Sequence, residues 1–342
     1  MIYINTHIFN TDDSSIKDAA EIIKTGGLVA FPTETVYGLG ANVFNDEAVK
    51  NIFKAKGRPV DNPLIVHISD FDMINIIAAD IPDSAKILMD AFMPGPLTII
   101  MKKSDKISHL ITAGLETVAI RFPSHPVAKK LIEYSGVPIA APSANLSGKP
   151  SPTIARHVID DLSGRVEGII DGGECDAGLE STVIDCTADI PIILRPGIIT
   201  LDDIKEYIPN AEIDKNILNA VMPGDTPKCP GMKYRHYAPE AKVFVVEGKK
   251  EAVIDKIKEL LLENSSYKTG VLCCSDENYE CNKKINIENG NKGYAHRLYT
   301  NLRLFDEASI DVVFAEFYIN DKYAVSVKNR LYKSASNNII YV

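Results

Sequence analysis

A two-domain α/β protein is what this sequence predicts, and three observations carry the prediction. Across residues 1–209, short apolar runs alternate with stretches of helical periodicity, the pattern of a sheet covered by helices. The segment 220–239 then holds Pro223, Gly224, Pro227, Pro230, Gly231 and Pro239 and has no period of its own. A second, compact β/α alternation follows it. The length of 342 residues agrees with two domains, since ~150 residues per domain is typical. A hydrophobic content of 45% with 24% charged residues suits a packed globule and excludes a disordered or collagen-like chain.

Taken in order, Gly27-Leu28-Val29-Ala30-Phe31 predicts a buried strand stopped by Pro32. Residues 46–56 predict a helix, with Asn45 or Asp46 as its cap and Ala48, Val49, Ile52 and Phe53 on one face. Runs at 64–68, 97–101, 117–121 and 137–141 are strand-like, and Val127, Ala128, Leu131 and Ile132 mark a short helix between the last two. Three further strands are expected at 168–170, 181–185 and 190–194. Periodicity does not decide between a parallel and a mixed sheet. The first domain is bounded at 209, and 210–240 is a linker whose Met232-Lys233-Tyr234-Arg235-His236-Tyr237 core is cationic and aromatic. Residues 241–342 then read as a small Rossmann-like α/β domain. Its strands are expected at 241–246, 269–273 and 310–315, its helices at 249–263, 295–306 and 325–334, with a closing apolar run at 339–342.

Composition narrows the function classes. The net charge is -9, from 37 basic and 46 acidic residues, which argues against a protein whose main task is gripping nucleic-acid backbones. Residues 1–209 hold 18 Lys and Arg against 28 Asp and Glu, so all the acidity lies there. An anionic substrate of that part must be met by a few cations gathered in one place. No apolar run approaches the ~20 residues of a membrane helix, and Met1-Ile2-Tyr3-Ile4-Asn5 does not begin a secretory signal. Six cysteines without a C-x-x-C pair fit a reduced, cytoplasmic protein. Phosphate-loop, dinucleotide, nucleophile-elbow and zinc-helix motifs are absent. Cys273, Cys274 and Cys281 read as a strand end and a loop before they read as a soft-metal site.

What remains is a set of strand-end loops dense in polar groups. They are Pro32-Thr33-Glu34-Thr35-Val36-Tyr37-Gly38, Lys54-Ala55-Lys56-Gly57-Arg58-Pro59 with Asn62-Pro63-Leu64, Arg121-Phe122-Pro123, Pro142-Ser143-Ala144-Asn145-Leu146-Ser147-Gly148 and Leu194-Arg195-Pro196-Gly197. Each has a plain structural account: helix-dipole complements for the lysines, hydroxyl and Asx turns for Thr33, Thr35, Ser143 and Asn145, surface ion pairs for the arginines. Their joint placement at strand ends of an acidic segment points instead to one polyanion pocket.

These same motifs resemble the YrdC-type domain of threonylcarbamoyl-AMP synthases. With Pro230-Gly231-Met232-Lys233-Tyr234-Arg235-His236-Tyr237-Ala238-Pro239 and the domain that follows, the chain resembles the long, two-domain form of that family along nearly its whole length. The resemblance implies a YrdC-like twisted mixed sheet with a concave pocket. It implies a nucleotidyltransferase that makes threonylcarbamoyl-adenylate and pyrophosphate from L-threonine, bicarbonate or CO2 and ATP. A separate downstream transferase complex would pass the threonylcarbamoyl group to tRNA, which this chain would itself hold weakly at most. Carried over position by position, the catalytic Lys-x-Arg and Ser-x-Asn motifs fall on Lys56, Arg58, Ser143 and Asn145. ATP contacts are implied for Arg58, Asn62, Thr117, Ser143, Ser151, Arg195 and the linker's Tyr234, Arg235 and His236. Threonine contacts are implied for Thr35, His67, Arg121, Ala141 and Ser181. Mg2+ would be held mainly by the phosphates, with no metal ligand from the protein. The linker would fold across the pocket and keep water from the carbamate.

Two other classes compete with this one. An RNA-binding maturation factor would use the same pocket without adenylation, and a carbamoyl transferase of hydrogenase maturation would carry further domains upstream.

Overall fold

The computed structural model describes residues 4–215, 217 and 237–342. They fall into two units. Residues up to Ile217, less Gly148–Pro150, form the first; Gly148–Pro150 join the residues from Tyr237 onward in the second.

The first unit is built on β1 (His7–Phe9), β2 (Val29–Phe31), β3 (Gly38–Asn42), β4 (Ile65–His67), β5 (Leu97–Lys102), β6 (Thr117–Arg121), β7 (Ile139–Ala141), β8 (Gly168–Ile170), β9 (Thr182–Asp185), β10 (Ile192–Arg195) and β11 (Glu212–Ile213). Their order in one sheet is β1-β8-β2-β3-β7-β4-β6-β5-β9-β10-β11. The pairing is mixed: β4 lies parallel to β6 and antiparallel to β7, for example. Because β11 pairs with β10, the first unit runs past the expected boundary at 209 into the segment read as linker.

Alternation along the strands gives the sheet two apolar faces. One carries the larger core, with Val66, Ile99, Ile120, Ala140 and Ile184 packed against helices that include Val49, Ile52, Leu88 and Val158. On the other face, helices Asp13–Lys24 and Pro126–Ser135 cover the β1-to-β7 half through Ile16, Ile23, Leu131 and Ile132. Its remaining half holds a small patch of Ile65, Ile100, Ala119, Val183 and Leu194, to which no helix residue belongs. That patch is the floor of the site described below.

β3 was not expected as a strand, since Gly38-Leu39-Gly40-Ala41-Asn42 carries little apolar signal. Its glycines answer to close packing. A Cβ on Gly40 would stand 2.7 Å from Ile139 Cγ2 and 2.9 Å from the Phe31 ring, so only glycine lets these strands and side chains approach.

The second unit has β12 (Lys242–Glu247), β13 (Thr269–Cys273), β14 (Lys283–Asn286), β15 (Val312–Phe317) and β16 (Ile339–Tyr341) in the order β14-β13-β15-β12-β16, all parallel. The helix Lys250–Glu263 lays Val253, Ile257, Leu260 and Leu261 on Val246, Val271 and Phe314. The Rossmann-like reading holds, with β14 added; its sequence, Lys-Lys-Ile-Asn, has the charge typical of an edge strand. Cys273 at the end of β13 donates to Ile285 O and Asn286 Oδ1, and burial pushes its thiol up to about 12. It is a packed thiol. Among the described residues no helix is long and apolar enough to cross a membrane.

Candidate active site

The helix Asp46–Lys56 starts where the Asn45 side chain accepts from Glu47 N and Ala48 N, and it stops at Gly57 in the left-handed region. There Arg58 N reaches back to Phe53 O, a helix end that favours glycine. Lys56 is thereby fixed pointing inward and Arg58 is thrown onto the following loop. The Lys56 Nζ, almost wholly buried, donates to Ser143 O at 2.5 Å and to Asn145 O at 2.6 Å. Its own carbonyl accepts from Ser147 N at 2.9 Å. One lysine thus brackets the Ser-x-Asn loop, within which Ser143 Oγ donates to Asn145 Oδ1 at 2.6 Å. Arg58 lies half-buried over the next turn, donating to Pro63 O and Asn62 O.

Strand register sets where the other groups stand. Ile65 on β4 faces Ala119 on β6 and Ala141 on β7. Two residues before β4, Pro63 O accepts from Arg58, and Thr117 opens β6 four residues before Arg121. Two residues on from Ile65, His67 faces Arg121 and Ile139. Along β6, four residues of strand separate Thr117 from Arg121, about 13 Å. Of the groups expected at ATP, Arg58 and Asn62 meet in the turn before β4, Thr117 starts β6 and Ser143 follows β7. His67 and Arg121, expected at threonine, face each other at the far ends of β4 and β6, with Ala141 opposite Ile65.

A second set joins from β9 and β10. Arg195 donates through Nε to Ser181 O and through NH2 to Ser181 Oγ, both at 3.1 Å. Ser181 Oγ in turn lies 2.7 Å from Thr98 Oγ1, and Thr98 faces Arg121 across the sheet. Ser151 is buried and donates to Glu180 Oε1 at 2.6 Å. Thr35 is buried with its hydroxyl 2.9 Å from Thr33 Oγ1. Thr33 Oγ1 also accepts from Thr35 N and Val36 N, so Thr33 is a turn residue.

The electrostatics are those of a dry site. Arg121 and Arg195 are 4% and 5% exposed, which removes the account of them as surface ion pairs. Burial, then the charge of Arg121, pushes the His67 imidazole down to about 3. The ring is neutral at physiological pH, with Nδ1 3.1 Å from Ile65 O. Among the described residues, buried polar atoms with no hydrogen-bond partner include both Oδ1 and Nδ2 of Asn62, Arg121 Nε and both carboxylate oxygens of Glu34. Buried polar groups are normally satisfied, and Glu34 and Arg121, which are ion-paired with each other, hold three of these atoms. Tyr234, Arg235 and His236 of the expected set lie outside the described residues.

Sequence reasoning assigned no role to Glu34, Thr98 or Glu180, although each touches an expected site residue. Glu34 alone had a signal, as the one acid inside the Thr-Glu-Thr loop.

Residues 21–197 match the Sua5/YciO/YrdC family profile, described as "Telomere recombination", and 199–336 match that of the threonylcarbamoyl-AMP synthase C-terminal domain. The threonylcarbamoyl-AMP synthase of Pyrococcus abyssi is 47% identical, covering 97% of both chains. The chain belongs to the threonylcarbamoyl-AMP synthase family. The family member of Bacillus subtilis is 46% identical over 98% of this chain and 97% of its own. A crystal structure of P. abyssi Sua5 complexed with L-threonine superposes with a TM-score of 0.94 at 46% identity, covering 98% of this chain and 99% of that one. The family's two profiles meet between 197 and 199, just after β10.

Proposed function

We propose that this chain is a nucleotidyltransferase forming threonylcarbamoyl-adenylate and pyrophosphate from L-threonine, bicarbonate or CO2 and ATP. Its product would feed threonylcarbamoyl modification of tRNA. The observation that carries the reading is the two-level arrangement across β6, β4 and β7. Arg58 and Asn62 meet before β4, Thr117 starts β6 and Ser143 follows β7. His67 and Arg121 face each other at the far ends of β4 and β6, Arg121 about 13 Å from Thr117 along its strand.

The chemistry suits those residue types. The threonine amine bonds to the carbon of CO2 and loses a proton, giving a carbamate. A carbamate oxygen then attacks the α-phosphorus of ATP, and the bond to pyrophosphate breaks. Two anions must meet, so the main demand is positioned positive charge and exclusion of water. In this reading Arg58 and Arg195 meet the phosphates, with Asn62, Thr117, Ser143 and Ser151 as further ATP contacts. Lys56 acts by holding the loop of Ser143 and Asn145 rather than by touching phosphate. Arg121 takes the threonine carboxylate as a fork. Thr35, the neutral His67, the Ala141 backbone and Ser181 supply acceptors and donors for the hydroxyl and amine. A pocket built to pair that hydroxyl rejects valine, which would leave its polar groups unmatched.

Mg2+ is proposed to arrive with ATP. In this reading the ion is carried by the phosphates and water. When bound it would offset charge on the leaving pyrophosphate. Cytoplasmic placement and a separate downstream transferase complex belong to the same proposal, with tRNA itself held weakly at most.

The test is incubation of the full chain with ATP, L-threonine and labelled bicarbonate. A labelled adenylate with one pyrophosphate per product is expected, dependent on threonine. Salt-sensitive tRNA binding with no adenylate would refute the reading.

A further inference from the structure

Glu34 and Arg121 form a buried ion pair that is poorly made. Oε1 of Glu34 lies 2.8 Å from NH2 of Arg121, with side chains 10% and 5% exposed. Yet neither carboxylate oxygen is hydrogen-bonded, Arg121 Nε has no partner, and the guanidinium reaches Thr33 Oγ1 only at 3.4 Å. A buried pair this short of hydrogen bonds stabilises little, since the desolvation of both charges is not offset. Removing either charge would cost more, because the other would be left alone in a dry site. A ligand entering here therefore has to bring both charges with it.

A free amino acid does so. We propose that Glu34 receives the α-ammonium of threonine while Arg121 receives its carboxylate, so that the ion pair opens around the substrate and each charge exchanges one partner for another. The inference rests on the placement of the threonine carboxylate at Arg121 made above. It adds a specificity-determining residue: the Glu34–Arg121 pair is neutral in sum, so it selects a zwitterion over a simple carboxylate or a simple amine. The same pairing explains why a buried acid stands beside Arg121.

The test is calorimetric titration of the full chain with three ligands: L-threonine, its analogue with a hydroxyl in place of the α-amine, and threoninol, which lacks the carboxylate. Glu34→Gln should weaken threonine about tenfold to a hundredfold, the worth of a buried charged hydrogen bond. It should leave the affinity for the hydroxy acid unlowered, and Glu34→Asp should restore part of the threonine affinity. Arg121→Gln should weaken threonine and leave threoninol unaffected. Threonine affinity unchanged in Glu34→Gln, with the Arg121→Gln loss intact, overturns the role of Glu34 and keeps the carboxylate placement. Threonine affinity unchanged in Arg121→Gln overturns both. Should Glu34→Gln fail to fold, the unmodified chain decides: the hydroxy acid is expected to bind about tenfold weaker than threonine or worse, and equal affinity overturns the proposal.

Discussion

Replacing Lys56 by methionine isolates the ammonium from the rest of the side chain, because methionine keeps nearly the same length and apolar stem. The ammonium makes two short hydrogen bonds, to Ser143 O and Asn145 O, at a position 2% exposed. A hydrogen bond involving a charge contributes about 1.5–3 kcal/mol, and a carbonyl left dry and unpaired costs about 1–3 kcal/mol. Part of this is recovered as the loop opens to water, so about 3 kcal/mol of net loss is expected for the pair. In a unit of roughly 200 residues, that lowers the midpoint of thermal unfolding by about 6–12 °C. The loop that opens is the one carrying Ser143 and Asn145, so adenylate formation should fall by about a hundredfold or more, mainly in kcat. The assay is pyrophosphate release at saturating ATP and threonine, alongside a melting curve. A Lys56→Met chain that melts like the parent and shows only a raised KM for ATP would refute the reasoning. Such a result would put the ammonium on the phosphates instead of on the loop.

Three other outcomes are expected. Arg58→Ala should cut kcat/KM by about a hundredfold to a thousandfold with the melting midpoint nearly unchanged, because it removes a half-buried charge and no core volume; full activity would overturn the phosphate assignment. His67 stays neutral in the folded chain down to about pH 3, while an unfolded histidine takes up its proton below about 6.5. Its contribution to stability is therefore complete above pH 6.5 and is lost as pH falls through that window, at up to about 1.4 kcal/mol per pH unit; comparing denaturant midpoints of the parent and His67→Gln from pH 7 to pH 4 should show the parent losing more. Gly40→Ala drives a methyl against Ile139 and the Phe31 ring and should cost about 1–3 kcal/mol, read as a lower denaturation midpoint, with Ile139→Val recovering part of it.

Much of this fold is legible in the sequence where local signals agree. The helix Asp46–Lys56 has a cap at Asn45, an apolar stripe and a stop at Gly57, and its limits are the predicted ones. Strands β6 and β13 have the limits expected from their apolar runs. The misses have physical causes. β3 is a strand because packing overrides glycine's poor propensity, and β14 is a charged edge with no apolar face to announce it. The helix Asp13–Lys24 buries two alanines between two isoleucines, a stripe too small to stand out. Among the candidate site residues, the basic and hydroxyl ones stand out because they interrupt an acidic segment at strand ends. Glu34 and Glu180 were not, since an acid among twenty-eight in that segment looks like surface charge until its burial is known.

The two levels along β6 have a consequence for how this enzyme can change. Their spacing is counted in peptide units between hydrogen-bonded strands, so the backbone acts as a ruler that side-chain substitution leaves alone. A shift of register by one residue would turn every group on the ruler to the opposite face, so the span is conserved or lost as a whole. Recognition at either end is open to revision by contrast. Under the proposed assignment, substitutions around Thr35, His67 and Ser181 would retune which amino acid is accepted without moving the nucleotide relative to it, making amino-acid choice the adjustable half of a fixed-length gauge.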